Sequence, residues 1–187
     1  MSDTNFRSIA DQDGVVLHNE VIDPRLSGVD PSTISDVLKF SHATNCSALH
    51  CTVDAGGLQK ENAIDMNRLC NNILIQDCVL VEGKQNAITI KGGCTNIHIL
   101  DTVIEMVPSS AGHCDIELGN YSEQSDLPVT GVTLEHVTRS DGGTVRVRVI
   151  NADYPVVSGG NYYVYKPIWA RWPIWSIYSF LRKKGIL

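Results

Sequence analysis

The chain has 187 residues, 43% of them hydrophobic and 19% charged, with a net charge of −6. These figures exclude a disordered chain and allow one domain with a real core, and the acidic balance speaks against a nucleic-acid binder. The average hides an asymmetry: residues 161–187 hold five basic residues and no acid, leaving −11 on the body, and they hold all three Trp and eight of the twelve aromatics.

Taken in chain order, the opening "MSDTNFRSIADQDG" is polar, so no signal peptide is expected. Nowhere do 18 apolar residues follow one another, so no transmembrane helix is expected either. "GVVLHNEVIDP" reads as one strand, and "DPRLSGVDPSTISD", with Pro24 and Pro31, is rich in turn formers. Residues 1–35 are therefore expected to form an arm or a cap on the regular part. "DQDG" at 11–14 looks like the start of a calcium loop but lacks the later acidic ligands, and reads as an ordinary turn.

The regular part begins at Asp36. "NAIDMNRLCNNILIQDCVLVEG" starts at Asn62 and "NAITIKGGCTNIHILDTVIEM" starts at Asn86, a displacement of 24 residues. Upstream, "DVLKFSHATNCSALHCTVDAGG" from Asp36 aligns if two extra residues follow Phe40, which puts Cys46, Cys70 and Cys94 in one column. The same alignment stacks Leu49 on Ile73 and Ile97, and His50 on Leu74 and His98. Downstream, "CDIELG" at 114–119 and "GVTLEHVTRS" at 131–140 match the two halves of the unit around a longer loop. "TVRVRVIN" and "VVSGGNYYVY" close the series, giving about five coils over residues 36–165. Each short segment alternates apolar and polar, which is strand periodicity. A strand pair this short buries its apolar side only by stacking on its copies, whereas a β-sandwich of short strands leaves a fixed 24-residue period unexplained.

This pattern resembles the right-handed parallel β-helix of pectate-lyase-like proteins and phage tailspikes. The resemblance covers about 130 residues, 36–165, and implies an all-β chain: an N-terminal arm, a short β-helix, and a tail over 166–187. It is specific for architecture and not for activity, because the fold carries lyases, hydrolases, adhesins and inert fibres alike.

Enzymes of this fold use carboxylates, Lys or Arg on the outside of one sheet. Here the outward column of the first strand reads Lys39, Asp65, Thr89, Glu117 and then Arg146 or Arg148. Asp65 and Glu117 fall two rungs apart, roughly 10 Å, near the separation used by inverting glycosidases. They are the catalytic candidates if the protein is an enzyme. The paired Asp, Gly-His-Gly and Arg-x-Lys motifs of the hydrolases are absent, and alternating charge on an exposed sheet face is the simpler reading. Neither a cofactor nor a metal is expected. The six cysteines form no CxxC pair, and His50 and His98, with Leu74 between them, are too far apart to share an ion. Cys46, Cys70 and Cys94 are expected as a ladder of buried free thiols. Asp77 and Asp101, with His136, are expected as a structural polar column.

The tail "KPIWARWPIWSIYSFLRKKGIL" follows. Pro173 suits a first helical position. Ile174, Ile177, Tyr178 and Leu181 share one helical face, and Gly185 can end the helix. About 12 residues make a helix of about 18 Å, too short to span a bilayer. Trp169, Arg171, Trp172, Trp175, Tyr178, Phe180, Arg182, Lys183 and Lys184 are the residue types that dominate docking interfaces. Capping of the solenoid end and lying on an anionic membrane are the competing uses. The expectation is a non-enzymatic structural or binding module. By analogy with phage β-helix proteins it is a virion component made in the host cytoplasm, docked through 166–187 to another virion protein or to its own copies. A host glycan is a further expected ligand. The alternative is a carbohydrate-active enzyme; a membrane-surface protein comes third.

Overall fold

A computed structural model describes residues 5–56, 62–106, 114–119 and 127–167. The described chain is a parallel β-solenoid. The first coil is β1 (Arg7–Ala10), β2 (Val16–His18) and β3 (Val21–Ile22); the second is β4 (Leu38–Ser41), β5 (Ser47–Leu49) and β6 (Thr52–Asp54). The third is β7 (Asn62–Asn67), β8 (Asn71–Gln76) and β9 (Val79–Val81), and the fourth is β10 (Asn86–Ile90), β11 (Thr95–Leu100) and β12 (Val103–Glu105). The fifth is β13 (Ile116–Leu118), β14 (Thr130–Glu135) and β15 (Thr138–Arg139). A shortened sixth coil has only β16 (Val145–Val149) and β17 (Val156–Ser158), after which β18 (Tyr162–Tyr165) rejoins the first sheet. Corresponding strands pair in parallel into sheets of seven, six and five strands.

Stacking in register puts like on like, as the repeat requires. Ile9, Phe40, Met66, Ile90, Leu118 and Val149 form one buried inward column. Leu17, Ala48, Ile75, Ile99 and Leu134 form a second, which ends at the partly exposed Val157. Ile22, Val53, Leu80 and Ile104 form a third, which ends at Arg139.

Two largely polar corners bend the coils through left-handed backbone, a conformation that Asn and Asp tolerate better than other residues with a Cβ. Asn45, Asn72 and Asn96 have φ of 51°, 57° and 54°. Their amides form a ladder: Asn72 Nδ2 donates to Asn45 Oδ1 at 2.7 Å, and Asn96 Nδ2 to Asn72 Oδ1 at 3.1 Å. Asn19, His50, Asp77, Asp101 and His136 fill the corner between the second and third sheets, all with positive φ. Each donates its backbone N–H to the next rung.

Two expectations change. Residues 7–22, expected within an arm or cap, form the first coil themselves; the turn-rich part supplies two short 3-10 turns, Pro24–Ser27 and Pro31–Thr33. The second coil also has a different register from the one expected. Ser47 pairs with Leu74, a separation of 27 and not 24. The reason is the first corner. Coils three and four place two left-handed residues there, Arg68–Leu69 and Gly92–Gly93, while coil two has the single His42. The additional length of coil two lies between β6 and β7, not after Phe40.

Candidate functional site

The outward column of the first sheet is continuous as expected: Ser8, Lys39, Asp65, Thr89, Glu117, Arg148 and Tyr165 are successive neighbours. Arg148, not Arg146, occupies the column. The middle of the column is buried, however. Asp65, Thr89 and Glu117 are at 0%, 1% and 3% exposure.

Burial without partners would be prohibitive for these carboxylates, and partners are present. Asp65 Oδ2 lies 3.1 Å from Lys39 Nζ and accepts from Asn67 Nδ2 at 2.9 Å, and Asp65 Oδ1 lies 2.9 Å from Lys91 Nζ. Glu117 is held by Arg148 in a direct charge-assisted bond. Thr89 Oγ1 lies 2.8 Å from Asn62 Oδ1 and 3.0 Å from the Asn86 amide. Register places Asp65 and Glu117 two rungs apart, as the sequence predicts, but each is tied to cations and closed to solvent.

The structural ladders are rearranged by the register of coil two. Cys70 and Cys94 are neighbours, as the Thr95-to-Cys70 backbone bond of 2.8 Å shows. Cys46 is not part of that ladder: Leu74 N–H donates to the Cys46 carbonyl, which sets Cys46 beside Ile73. A second pair, Cys51 and Cys78, went unpredicted; Cys51 N–H lies 3.4 Å from Cys78 Sγ. All six cysteines are free and buried. Desolvation pushes the Cys78 thiol up to about 11 and the Cys114 thiol up to about 12. The hydrogen bond to Cys70, together with burial, raises Cys94 as well.

Asp77 and Asp101 share a corner column with His136, as expected, and His50 joins that column and leaves the one expected with Leu74 and His98. His50 Nδ1 stands 3.8 Å from Asp77 Oδ2, and His136 Nδ1 3.2 Å from Asp101 Oδ1, with all four side chains partly exposed. His98 stacks on Leu74 as expected and bonds Asn96 Oδ1 at 2.9 Å. Among the described residues no group of three or more His, Cys, Asp or Glu could hold a metal ion, and no helix is long and apolar enough to cross a membrane.

An open feature among the described residues lies at the C-terminal end, where the third sheet stops with β15. A groove of about 550 Å³ is lined there by Arg139, Thr144, Arg146, Asn161, Tyr162 and Tyr163. Tyr162 reaches across the core end, its hydroxyl accepting from Val137 N–H at 2.9 Å and donating to the Ser158 carbonyl at 3.3 Å. The guanidinium of Arg139 bonds Asp141 twice, at 3.0 and 2.6 Å. This pairing and the Gly143 N–H hold the Asp141 carboxyl down at about 2. Asp115, fully buried, sits behind both arginines, 3.8 Å from Arg139 and 3.6 Å from Arg146. The sequence signal for this groove was the run "TVRVRV" followed by "NYYVY", whose alternation sets two Arg beside two Tyr in adjacent strands.

The proposed docking residues Trp169, Arg171, Trp172, Trp175, Tyr178, Phe180, Arg182, Lys183 and Lys184 lie outside the described residues. Compared with models of known protein families and with curated proteins, the chain matches none.

Proposed function

We propose that this protein is a non-enzymatic structural or binding module, a virion component of the kind found on tailed phages. In this reading it is made in the host cytoplasm and attaches to a capsid or tail through residues 166–187, by contact with another virion protein or with copies of itself. The observation that carries the non-enzymatic part is the state of Asp65 and Glu117. The two carboxylates named for glycan cleavage are buried in ion pairs, as a stack of rungs needs and as a cleft does not. Support for attachment comes from the composition of the tail, an aromatic and basic arm on an acidic body.

The test is mass in solution, by light scattering after size exclusion. It compares the full chain, a full-length variant with Trp169, Trp172 and Trp175 changed to Ser, and a chain ending at Tyr165. The expected result is assembly of the full chain alone, or its capture by a virion protein, with monomers for the other two. Monomers throughout, with no capture, remove the docking role. Aggregation of the shortened chain assigns the tail to capping instead. Cleavage of any glycan that is lost on Asp65→Asn with Glu117→Gln, in a variant that stays folded, restores the enzyme reading.

A further inference from the structure

We infer that the outer face of the second and third sheets, over coils three to five, is the seat of the aromatic and basic tail of a second copy of this chain. The inference rests on the docking reading above and names both the partner and the surface.

The sides of the solenoid differ. In the first sheet every residue of β7, β10 and β13 is buried, and Asp65 and Glu117 are matched there by Lys39, Lys91 and Arg148. In the second and third sheets the outward side chains of coils three to five stay half-buried or exposed. Register stacks Leu74 on His98, Leu100 between Gln76 and Glu135, and Val79 on Val103. Leu74, Val79, Val81, Leu100 and Val103 thus give the face an aliphatic content that the fold itself does not bury. The strands from β8 to β15 on these two sheets contain no Trp, Tyr or Phe, so the face has no platform for a sugar ring. Its charge is of one sign. Asp77, Asp101, Glu105 and Glu135 are exposed on it, and β8, β9, β11, β12 and β14 contain no Lys or Arg. Among the described residues the ionic partners of these four acids are histidines, His50 at 3.8 Å from Asp77 and His136 at 3.2 Å from Asp101.

An aliphatic face with acids that no lysine or arginine balances calls for a partner that is both apolar and positive. An anionic membrane or a nucleic acid is repelled by it. Residues 166–187 have the complementary composition: Trp169, Trp172 and Trp175, with Lys166, Arg171, Arg182, Lys183 and Lys184 and no acid. The residue types are those that anchor interfaces. The helix of about 18 Å expected in the tail is long enough to lie along three rungs, which rise roughly 10 Å. The chain leaves the solenoid from the first sheet, after β18, while the face belongs to the other two. A neighbour's tail meets that face directly, whereas the chain's own tail must first turn a corner of the coil.

The experiment cross-links the full chain with a water-soluble carbodiimide, which joins an ammonium group to a carboxylate without a spacer. Isotopically light and heavy chains are mixed, so that mass spectrometry reads which residues are joined and whether they belong to one copy or two. Lys183 or Lys184 of one copy is expected to be joined to Asp77, Asp101, Glu105 or Glu135 of another. Light scattering of two full-length variants completes the test. Leu100→Ser with Asp101→Asn and Glu105→Gln is expected to weaken self-association about tenfold or more; Asn is at ease in the left-handed backbone of Asp101, with φ of 48°. Glu105→Lys with Glu135→Lys changes only exposed side chains and is expected to weaken it as much, with circular dichroism checking that both variants fold. Self-association that needs the tail tryptophans but ignores both variants overturns this inference and leaves tail docking standing. So do tail cross-links that run to other acids or stay within one copy. A full chain that remains monomeric overturns it as well, and capture by a virion protein then decides whether tail docking survives.

Discussion

Lys91 Nζ stands 2.9 Å from Asp65 Oδ1, and Asp65 has no exposed surface. Lys39 approaches the other oxygen at 3.1 Å, so one carboxylate holds two nearly buried ammonium groups on three consecutive rungs. Removing the shared partner takes from both cations the acid closest to them, with Lys39 keeping Asp36 at 3.7 Å, which is worse than removing a surface pair. Asp65→Asn, nearly isosteric, is expected to cost about 3 kcal/mol or more, seen as a fall of roughly 6–12 °C in the melting temperature for a domain of this size. Thermal unfolding followed by circular dichroism checks this. A loss under 1 kcal/mol would show that the cations find water instead.

Gly119 and Gly142 test the corners, because both have left-handed backbone, with φ of 76° and 72°, but different surroundings. A Cβ on Gly142 meets nothing within 4 Å, whereas a Cβ on Gly119 would lie 2.3 Å from the carbonyl oxygen of Asn151 and 2.5 Å from its backbone carbon and nitrogen. Gly142→Ala carries only the conformational cost, about 1–2 kcal/mol. Gly119→Ala adds a backbone clash between successive rungs, so about 3 kcal/mol or more is expected in total. Urea unfolding of the two variants side by side separates the terms. Equal losses would mean that the rungs part freely at Asn151.

The legible part of the fold was the part where rungs repeat without change. Coils three and four share Asn, Ile and Asp at matching places because an inward column wants Ile and a left-handed corner wants Asn or Asp. Coil two was misplaced because its first corner uses one residue, His42, where its neighbours use two. The first coil was missed for a related reason. Ile9, Leu17 and Ile22 pair with Phe40, Ala48 and Val53 at a constant displacement of 31, since the two 3-10 turns lengthen the connection; a search at 24 does not see it. The outward column was read correctly as an alternation of charge, yet its burial was not readable. Strand alternation says which way Asp65 points but not what lies over it. The groove is half legible: the alternation in "TVRVRV" and "NYYVY" sets Arg beside Tyr, but the opening itself arises from the strand that coil six lacks.

The thiols give the alkaline limit of the fold. Cys78 and Cys114 titrate near 11 and 12 because burial disfavours the thiolate, and Cys94 is raised too, by its bond to Cys70 and by burial. In the unfolded chain the same groups ionise near their ordinary value of about 8.5. Their folded values are raised, so the stability they contribute is whole below that value. It is lost as the pH rises toward 11 and 12, because the unfolded state sheds protons first. Stability to urea is therefore expected to be level in this respect up to about pH 8 and to decline above it. Replacing Cys78 and Cys114 by Ala should flatten the slope between pH 9 and 11, even though each substitution lowers stability at neutral pH. The same burial predicts that a thiol-specific disulfide reagent at pH 8 modifies the native chain only at the rate at which it opens. Rapid modification of any of the six cysteines in the folded protein would show that its rung opens on its own.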